Sequence, residues 1–333
     1  MPHKSKSFLR RILRGLAVLW GSFTLVFLIF TAVPDPARQL AGQRADPEVI
    51  ADIRTKFGLD KPVHVRYGHA LMSLSPLGTR GDGSWGFRAP SLGQSYVHPE
   101  RVERLLFRAM PATMVLALSA LVFAILLGIP MGLVAARNPG GPFDRLVVGS
   151  SVLGMSAPSF FAAILIGYIG AVKWGGWTGL PLTGSFLDLD ADGNTVVSLR
   201  NLILPAFTLG IRPLAIFSQL MRGAALDVLR APHVKTARAF GASEGEVMRR
   251  HVFRNALNPV VTSASGWLAQ LLAGAVFVEF VFGWRGLGFL LFEALEQHDL
   301  PVVMGGVLMV SFTFVIINAL ADVSYRYLDP RAV

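Results

Sequence analysis

The chain has 333 residues, of which 53% are hydrophobic and only 16% charged, with a formal net charge of +10 and no cysteine. A water-soluble domain gives about a quarter of its residues to charge, so a mean hydropathy of +0.52 points to a membrane protein. Disulfides, thiolate metal sites and thiol redox chemistry are excluded.

Apolar runs long enough to cross a bilayer core of roughly 20 helical residues predict six helices, at about 9–33, 110–136, 145–171, 201–222, 259–282 and 301–325. The first run is too long for a cleaved leader and lacks a small-residue cleavage site before Pro34, so it is expected to stay as a span. Residues 34–109 form a long connection. Within it, Asp46 as N-cap, Pro47, Glu48 and a closing Gly58 predict a short helix, whereas "SPLGTRGDGSWGFRAPSLGQS" reads as loop. "ERVERLLFRAM" then leads amphipathically into the second span. After the fifth span, "GWRGLGFLLFEALEQHD" predicts another short helix, with a plain loop as the alternative.

An even number of spans puts both tails on one side, and the basic residues in short connections choose which. Sixteen of the 31 basic residues collect on one face: Lys4 and Lys6 in the tail 1–8 with Arg10, Arg11 and Arg14 beside it, Arg137 and Arg145 about the loop after the second span, Arg222, Arg230, Lys235, Arg238, Arg249, Arg250 and Arg254 between the fourth and fifth spans, and Arg326 and Arg331 in the tail 326–333; that face sums to +10 and the opposite one to zero. Both tails are therefore expected in the cytoplasm. The charge reports orientation, and nucleic acid is a poor inference from it.

The segment "KTARAFGASEGEVMRRHVFRNALNPV" is charged and helix-prone between two apolar runs. Pro232 stands near a helix start and Gly241 where a left-handed closing residue belongs. Ser243 precedes Glu246 by three, the capping-box spacing. A helix, a tight glycine turn and a second helix over about 244–255, stopping before Pro259, follow. Such a pair suits a docking element for another protein, or a basic helix lying on anionic headgroups.

At these residues the chain resembles the EAA signature of ABC-importer permeases. Lys235, Thr236 and Ala237 take its first three places, Gly241 its glycine, and His251 to Arg254 its tail. Lys235 stands where the signature has an acid and Arg254 where it has proline, a wording similar to the dipeptide/oligopeptide (and nickel) permeases, B-type membrane subunit. "RRILRGLAVLWGSFTLVF", "ATMVLALSALVFAILLGIPMGLVAA", "LPAFTLGIRPLA", "FGWRGLG", "LPVVMGGVL" and the final "DPR" extend the likeness over about 300 residues, in order.

The resemblance implies an all-α polytopic membrane protein, six transmembrane helices in a type I ABC importer-like bundle with a cytoplasmic coupling helix, residues 110–325 forming a five-helix core around the coupling segment 223–258. It implies a heterodimer with a homologous permease, two cytoplasmic ATPase subunits and an external substrate-binding protein, in the inner membrane. Peptides are the implied cargo, with nickel chelates, other metallophores or small glycans as alternatives. Lys235, Thr236, Ala237, Gly241, Ser243, Glu246, His251 and Arg254 become candidate ATPase-coupling residues, with segment 226–241 entering the ATPase groove and Gly241 standing where a Cβ would clash.

The chain has no G-x-x-x-x-G-K-[ST] loop and hence no ATP site of its own. No H-E-x-x-H, G-x-S-x-G or clustered acids support catalysis, and the scattered histidines support no metal or cofactor site. Away from the span ends, Arg212 and Glu279 alone carry charge, and both are candidates for a translocation path. Arg212 reads either as a cavity-lining cation or as a structural partner of backbone or of the second permease. For Glu279 the candidate partners are Arg212, the nearer Arg285, which depth favours, or neither. Gly128 and Gly132 allow close helix contact, and Trp174, Trp177 and Trp284 read as interfacial anchors. An ion-coupled secondary transporter is the competing class, and it leaves the charged helix pair unexplained.

Overall fold

The computed structural model describes residues 2–32, 36–41, 46–79, 84–189 and 195–328. Residues 80–83 of the stretch expected as loop and the closing "DPR" lie outside them. The described residues are mostly helical and divide into two units, Met1–Pro111 with Phe289–Val315 and Ala112–Gly288 with Ile316–Val333.

The first unit opens with α1 (Pro2–Ala32) and the short α2 (Pro36–Ala41). In α3 (Pro47–Lys56) Asp46 is the extended N-cap, Pro47 occupies the first turn, and Phe57 closes the helix ahead of Gly58 at φ +63°. Next, α4 (Val63–Leu74) lies in a part of the connection that carries no expectation from the sequence. The stretch expected as loop departs from that reading in an antiparallel hairpin of β1 (Leu77–Thr79) and β2 (Trp85–Phe87), with Gly78 opposite Gly86. Three-residue strands are too short to reveal alternation, so the Gly, Ser and Pro around them dominate the pattern. Phe23 and Phe27 of α1 pack on Tyr67 of α4, whose hydroxyl bonds Thr24 Oγ1 at 2.8 Å.

Next comes α5 (Val102–Arg137), about 54 Å long at 1.5 Å per residue, so the amphipathic lead and the second expected span are one helix. The third expected span, 145–171, is instead two helices, α6 (Pro142–Ser156) and α7 (Ser159–Gly167), the latter continued by a π-helical turn over Tyr168–Lys173, meeting at 111°. Pro158 supplies the reason. It has no N–H to continue the ladder, and it drives Ala157 out of the helical region to φ −68°, ψ 129°. A one-turn α8 (Gly175–Thr178) and a second hairpin, β3 (Leu187–Leu189) with β4 (Thr195–Val197), follow. The two hairpins qualify the all-α expectation.

The axis of the second unit is α9 (Arg200–Arg230), which continues through Pro205 and Pro213. After it come α10 (Pro232–Ala239), the single turn α11 (Glu244–Glu246), a π-helical stretch Val247–Phe253, α12 (Arg254–Gly274) and α13 (Val276–Val281). The expected stop before Pro259 does not occur: Pro259 lies six residues into α12 and the helix runs through it. The chain ends with α14 (Leu287–Glu296), the helix expected after the fifth span, and α15 (Leu300–Leu328).

Among the described residues four helices are long and apolar enough to cross a membrane, in α1, α5, α9 and α15, or five with the bent α6/α7 pair. The expected fifth span, 259–282, is not among them. It is divided at Ala275 between α12 and α13, Thr262, Ser263 and Gln270 lower its hydropathy, and α12 packs along α9.

Helices α5 and α9 pack backbone against backbone. A Cβ on Gly128 would come within 2.9 Å of the Leu214 carbonyl oxygen, one on Gly132 would collide with the Ser218 carbonyl, and one on Gly210 would reach the Ala120 carbonyl at 2.8 Å. Small residues let helix backbones approach where lipid supplies no hydrophobic drive. Gly132→Leu is expected to lower stability by at least about 3 kcal/mol, the upper end for overpacked cores. Gly149→Leu, whose Cβ would meet nothing within 4 Å, is expected to be neutral. The thermal unfolding of both variants in detergent checks this.

Candidate functional site

The helix pair after α9 is built by local chemistry. Pro232 sits in the first turn of α10, where a missing N–H costs nothing. At the other end Gly241 N–H donates to the Arg238 carbonyl at 3.0 Å and Ala242 N–H to the Ala237 carbonyl at 3.1 Å, the paired 5→2 and 6→1 bonds of a Schellman closure. That closure needs a left-handed residue, and Gly241 has φ +87°. The expected clash is corrected here: a Cβ on Gly241 would meet nothing within 4 Å, so the glycine is required by its dihedral and not by crowding.

Ser243 is the extended N-cap of the next helix and its Oγ accepts the Glu246 N–H at 3.3 Å. Only this half of the capping box forms. The Glu246 carboxylate accepts Arg250 Nη1 at 2.8 Å, and Glu244 accepts Arg238 at 2.8 and 3.1 Å, an exposed bidentate pair across the turn.

One side of this pair is sealed. Val234, Val247 and Val252 are fully buried against Phe217, Met221 and Ala225 of α9. The other side is open: Lys235, Thr236 and Arg238 are exposed, Ala237 is half-buried, and Phe240 at the tip is 88% exposed. His251 is half-buried with its ring 6.4 Å from that of His233, and Arg254 is exposed at the start of α12. The structure thus gathers all eight candidate coupling residues on one helix–turn–helix. Sequence reasoning missed Phe240, whose signal is a large apolar residue directly before a turn glycine.

A second missed pair anchors this region. Asp144, at the start of α6 and almost fully buried, accepts a two-pronged interaction from Arg222 of α9, with Nη2 to Oδ2 at 2.8 Å, and also accepts the Gly140 N–H at 2.8 Å. Arg222 reads in the sequence as one more loop cation. Its partner lies 78 residues away, and no local pattern announces it.

Glu279 and Arg212 are not brought together. Glu279 is fully buried and its Oε1 accepts Thr113 Oγ1 at 2.6 Å; Thr113 in turn accepts the Leu287 N–H at 2.7 Å. A Cβ on Gly286 would come within 2.5 Å of that carboxylate. Glu279 therefore fastens the "FGWRGLG" loop to α5. Among the described residues Arg285 makes no ion pair with it; its backbone N–H donates to Ser185 Oγ at 3.2 Å. Trp284 is corrected as well. It is fully buried, with Nε1 donating to the Ala112 carbonyl at 3.0 Å, whereas Trp174 and Trp177 are exposed as interfacial anchors would be.

Arg212 stands on α9 and lines a cavity of about 140 Å³ with Ala157, Ser159, Thr208, Trp267 and Gln270. Its walls are the bend between α6 and α7, the middle of α9, and α12. Among the described residues no three His, Cys, Asp or Glu side chains converge as a metal site.

Comparison with known proteins decides the family. Residues 128–333 match the family described as "Binding-protein-dependent transport system inner membrane component". The chain belongs to that family. Residues 5–117 match its companion, "Binding-prot-dependent transport system membrane comp, N-term". Among curated relatives of this transport-system component, the dipeptide transport system permease protein DppB of Alkalihalophilus pseudofirmus is 33% identical, covering 97% of this chain and 98% of its own. The di/tripeptide transport system permease protein DppB of Pseudomonas aeruginosa is 35% identical, with 98% of each chain covered, and the dipeptide transport system permease protein DppB of Escherichia coli K12 is 34% identical, with 97% of each. Among solved structures, a chain of the inward-facing MetNI methionine ABC transporter superposes with a TM-score of 0.54 at 18% identity, covering 68% of this chain and 97% of that one. That likeness shows a shared fold.

Asp144→Ala is expected to cost about 3 kcal/mol, the lower end for breaking a buried pair, because the Arg222 side chain keeps 26% of its surface. The double variant Asp144→Ala with Arg222→Met is expected to recover more than half of that. Unfolding of both in detergent, compared in a double-mutant cycle, checks it.

Proposed function

We propose that this chain is a transmembrane permease subunit of an ATP-driven importer for di- and oligopeptides, forming the translocation path with a homologous permease. Its relatives' names supply the cargo class. Six spans with both tails in the cytoplasm accommodate the candidate helices, with α12 and α13 as the fifth. The +10 face then lies at the cytoplasmic headgroups, and the long connection 34–109 lies outside, where a substrate-binding protein delivers cargo.

The observation that carries this reading is the pair of short helices closed at Gly241. Its inner side is seated on α9 through Val234, Val247 and Val252, and its outer side offers Lys235, Thr236, Arg238 and the bare ring of Phe240. A rigid knob with one apolar tip is suited to a groove in a soluble partner. In this reading two cytoplasmic ATPase subunits supply the hydrolysis for which this chain has no phosphate loop. Closure of the ATPases moves the knob, and α9 carries the movement into the membrane.

Purification of the chain from its native membrane in mild detergent is expected to recover a second permease and ATPase subunits. Gly241→Asp places a side chain at φ +87°, at a cost of ~1–2 kcal/mol, or roughly tenfold in the docked geometry. The variant is expected to keep the second permease, to lose the ATPases, and to lower ATP-driven peptide uptake about tenfold or more. Transport-active preparations without any ATPase would overturn the importer reading and bring forward an ion-coupled transporter.

A further inference from the structure

Arg212 is set about 17 Å along α9 from Asn201 and about 15 Å from Arg222, at 1.5 Å per residue. That is the middle of a helix apolar enough to span the membrane. A cation at that depth costs ~2.5–3.5 kcal/mol, and a structural role inside this chain would offset the cost with a partner. There is none: among the described residues Arg212 makes no ion pair or hydrogen bond. The other ionisable group expected at membrane depth, Glu279, is engaged with Thr113 and does not line the cavity.

The cavity itself is selective in kind. Its lining contains no Asp or Glu, so the guanidinium gives it a positive character. Beside it the Gln270 amide and the Ser159 hydroxyl are exposed and likewise make no hydrogen bond among the described residues, while Thr208 is spoken for, donating to the Leu204 carbonyl at 2.7 Å. Trp267 closes the apolar side. The space is small, about 140 Å³, and admits one polar end of a molecule. Arginine binds carboxylate through two parallel N–H donors.

We propose that this cavity is the subsite that receives the free C-terminal carboxylate of a peptide in transit. The proposal rests on the peptide-permease reading above. Its chemical logic is that the terminal carboxylate is the one anion every peptide carries whatever its side chains. A path that holds only that group orients each cargo without reading its sequence.

The test uses the complete complex of this chain, its partner permease, ATPases and binding protein in proteoliposomes. Uptake of labelled dialanine is compared with uptake of its C-terminal amide, each at saturation of the binding protein. That protein's own preference is common to native and variant complexes and cancels when acid-to-amide ratios are compared. Equilibrium binding of the same two peptides to the complex without binding protein reads the subsite directly. Losing a charge-assisted hydrogen bond is expected to lower dialanine uptake by Arg212→Gln about tenfold or more, with the amide unchanged. Arg212→Lys is expected to retain most of the native ratio, and Gln270→Leu to shift it less in the same direction.

Equal loss on both peptides, or loss on neither, would overturn the proposal. So would an Arg212→Gln chain that no longer copurifies with the partner permease, because the arginine's partner would then be that subunit. If the native complex hydrolyses ATP in response to loaded binding protein yet moves neither peptide, the peptide reading itself fails, and the proposal with it.

Discussion

Backbone contact between α5 and α9 is the constraint on which the second unit depends. Gly128 and Gly132 on one helix and Gly210 on the other leave carbonyl oxygens where any Cβ would have to sit. Because the two helices touch along their backbones, α9 is held rigidly at its centre, and α6, α7 and α12 can pack around it. Pro205 and Pro213 each remove one backbone hydrogen bond from α9, yet the helix stays continuous over 31 residues. Lateral packing, which isolated proline-bearing helices lack, accounts for that.

A rigid α9 gives geometry a route between two places that sequence separates. From Arg212 to Pro232 is about 30 Å along the axis. The helix ends directly in the knob formed by α10 and Gly241, whose inner valines are packed on α9 itself. A parallel connection runs through the Asp144 and Arg222 pair into α6, and α6 ends at the bend that forms a wall of the Arg212 cavity. On the proposed reading, a displacement at the knob reaches the cavity through two helices joined by one buried ion pair. Discrete elements of this kind transmit a switch better than a chain of exposed contacts, since packed cores have few intermediate arrangements.

What was legible in the sequence is what local chemistry specifies. Asp46, Pro47 and Gly58 bracket a helix because caps and left-handed closures act within a turn. Pro232, Gly241 and Ser243 do the same for the knob, and their placement agrees with the structure in each case. Long apolar runs likewise announce α1, α5, α9 and α15. The features that escaped depend on partners far along the chain. Trp284 looks like an interfacial anchor by its position in a run, but its surroundings are Ala112 and the core of the unit. Glu279 looks like a lone charge at membrane depth until Thr113, 166 residues earlier, is brought against it.

Proline illustrates the boundary between the two kinds of information. Pro158 breaks the third expected span by 111°, whereas Pro205, Pro213 and Pro259 are absorbed into helices. The residue type alone predicts a break at all four. What differs is the site: Ala157 before Pro158 takes an extended conformation, and the chain there changes direction beside an open cavity. Pro205 and Pro213, by contrast, are buried along α9. Burial among neighbouring helices accounts for Pro205 and Pro213 alone, since Pro259 is exposed and α12 still runs through it. A helix broken at membrane depth leaves backbone groups that hydrocarbon cannot satisfy, so such breaks belong where protein or a water-filled space adjoins them. The bend at Pro158 meets that condition: Ala157 and Ser159, on either side of it, line the same cavity as Arg212.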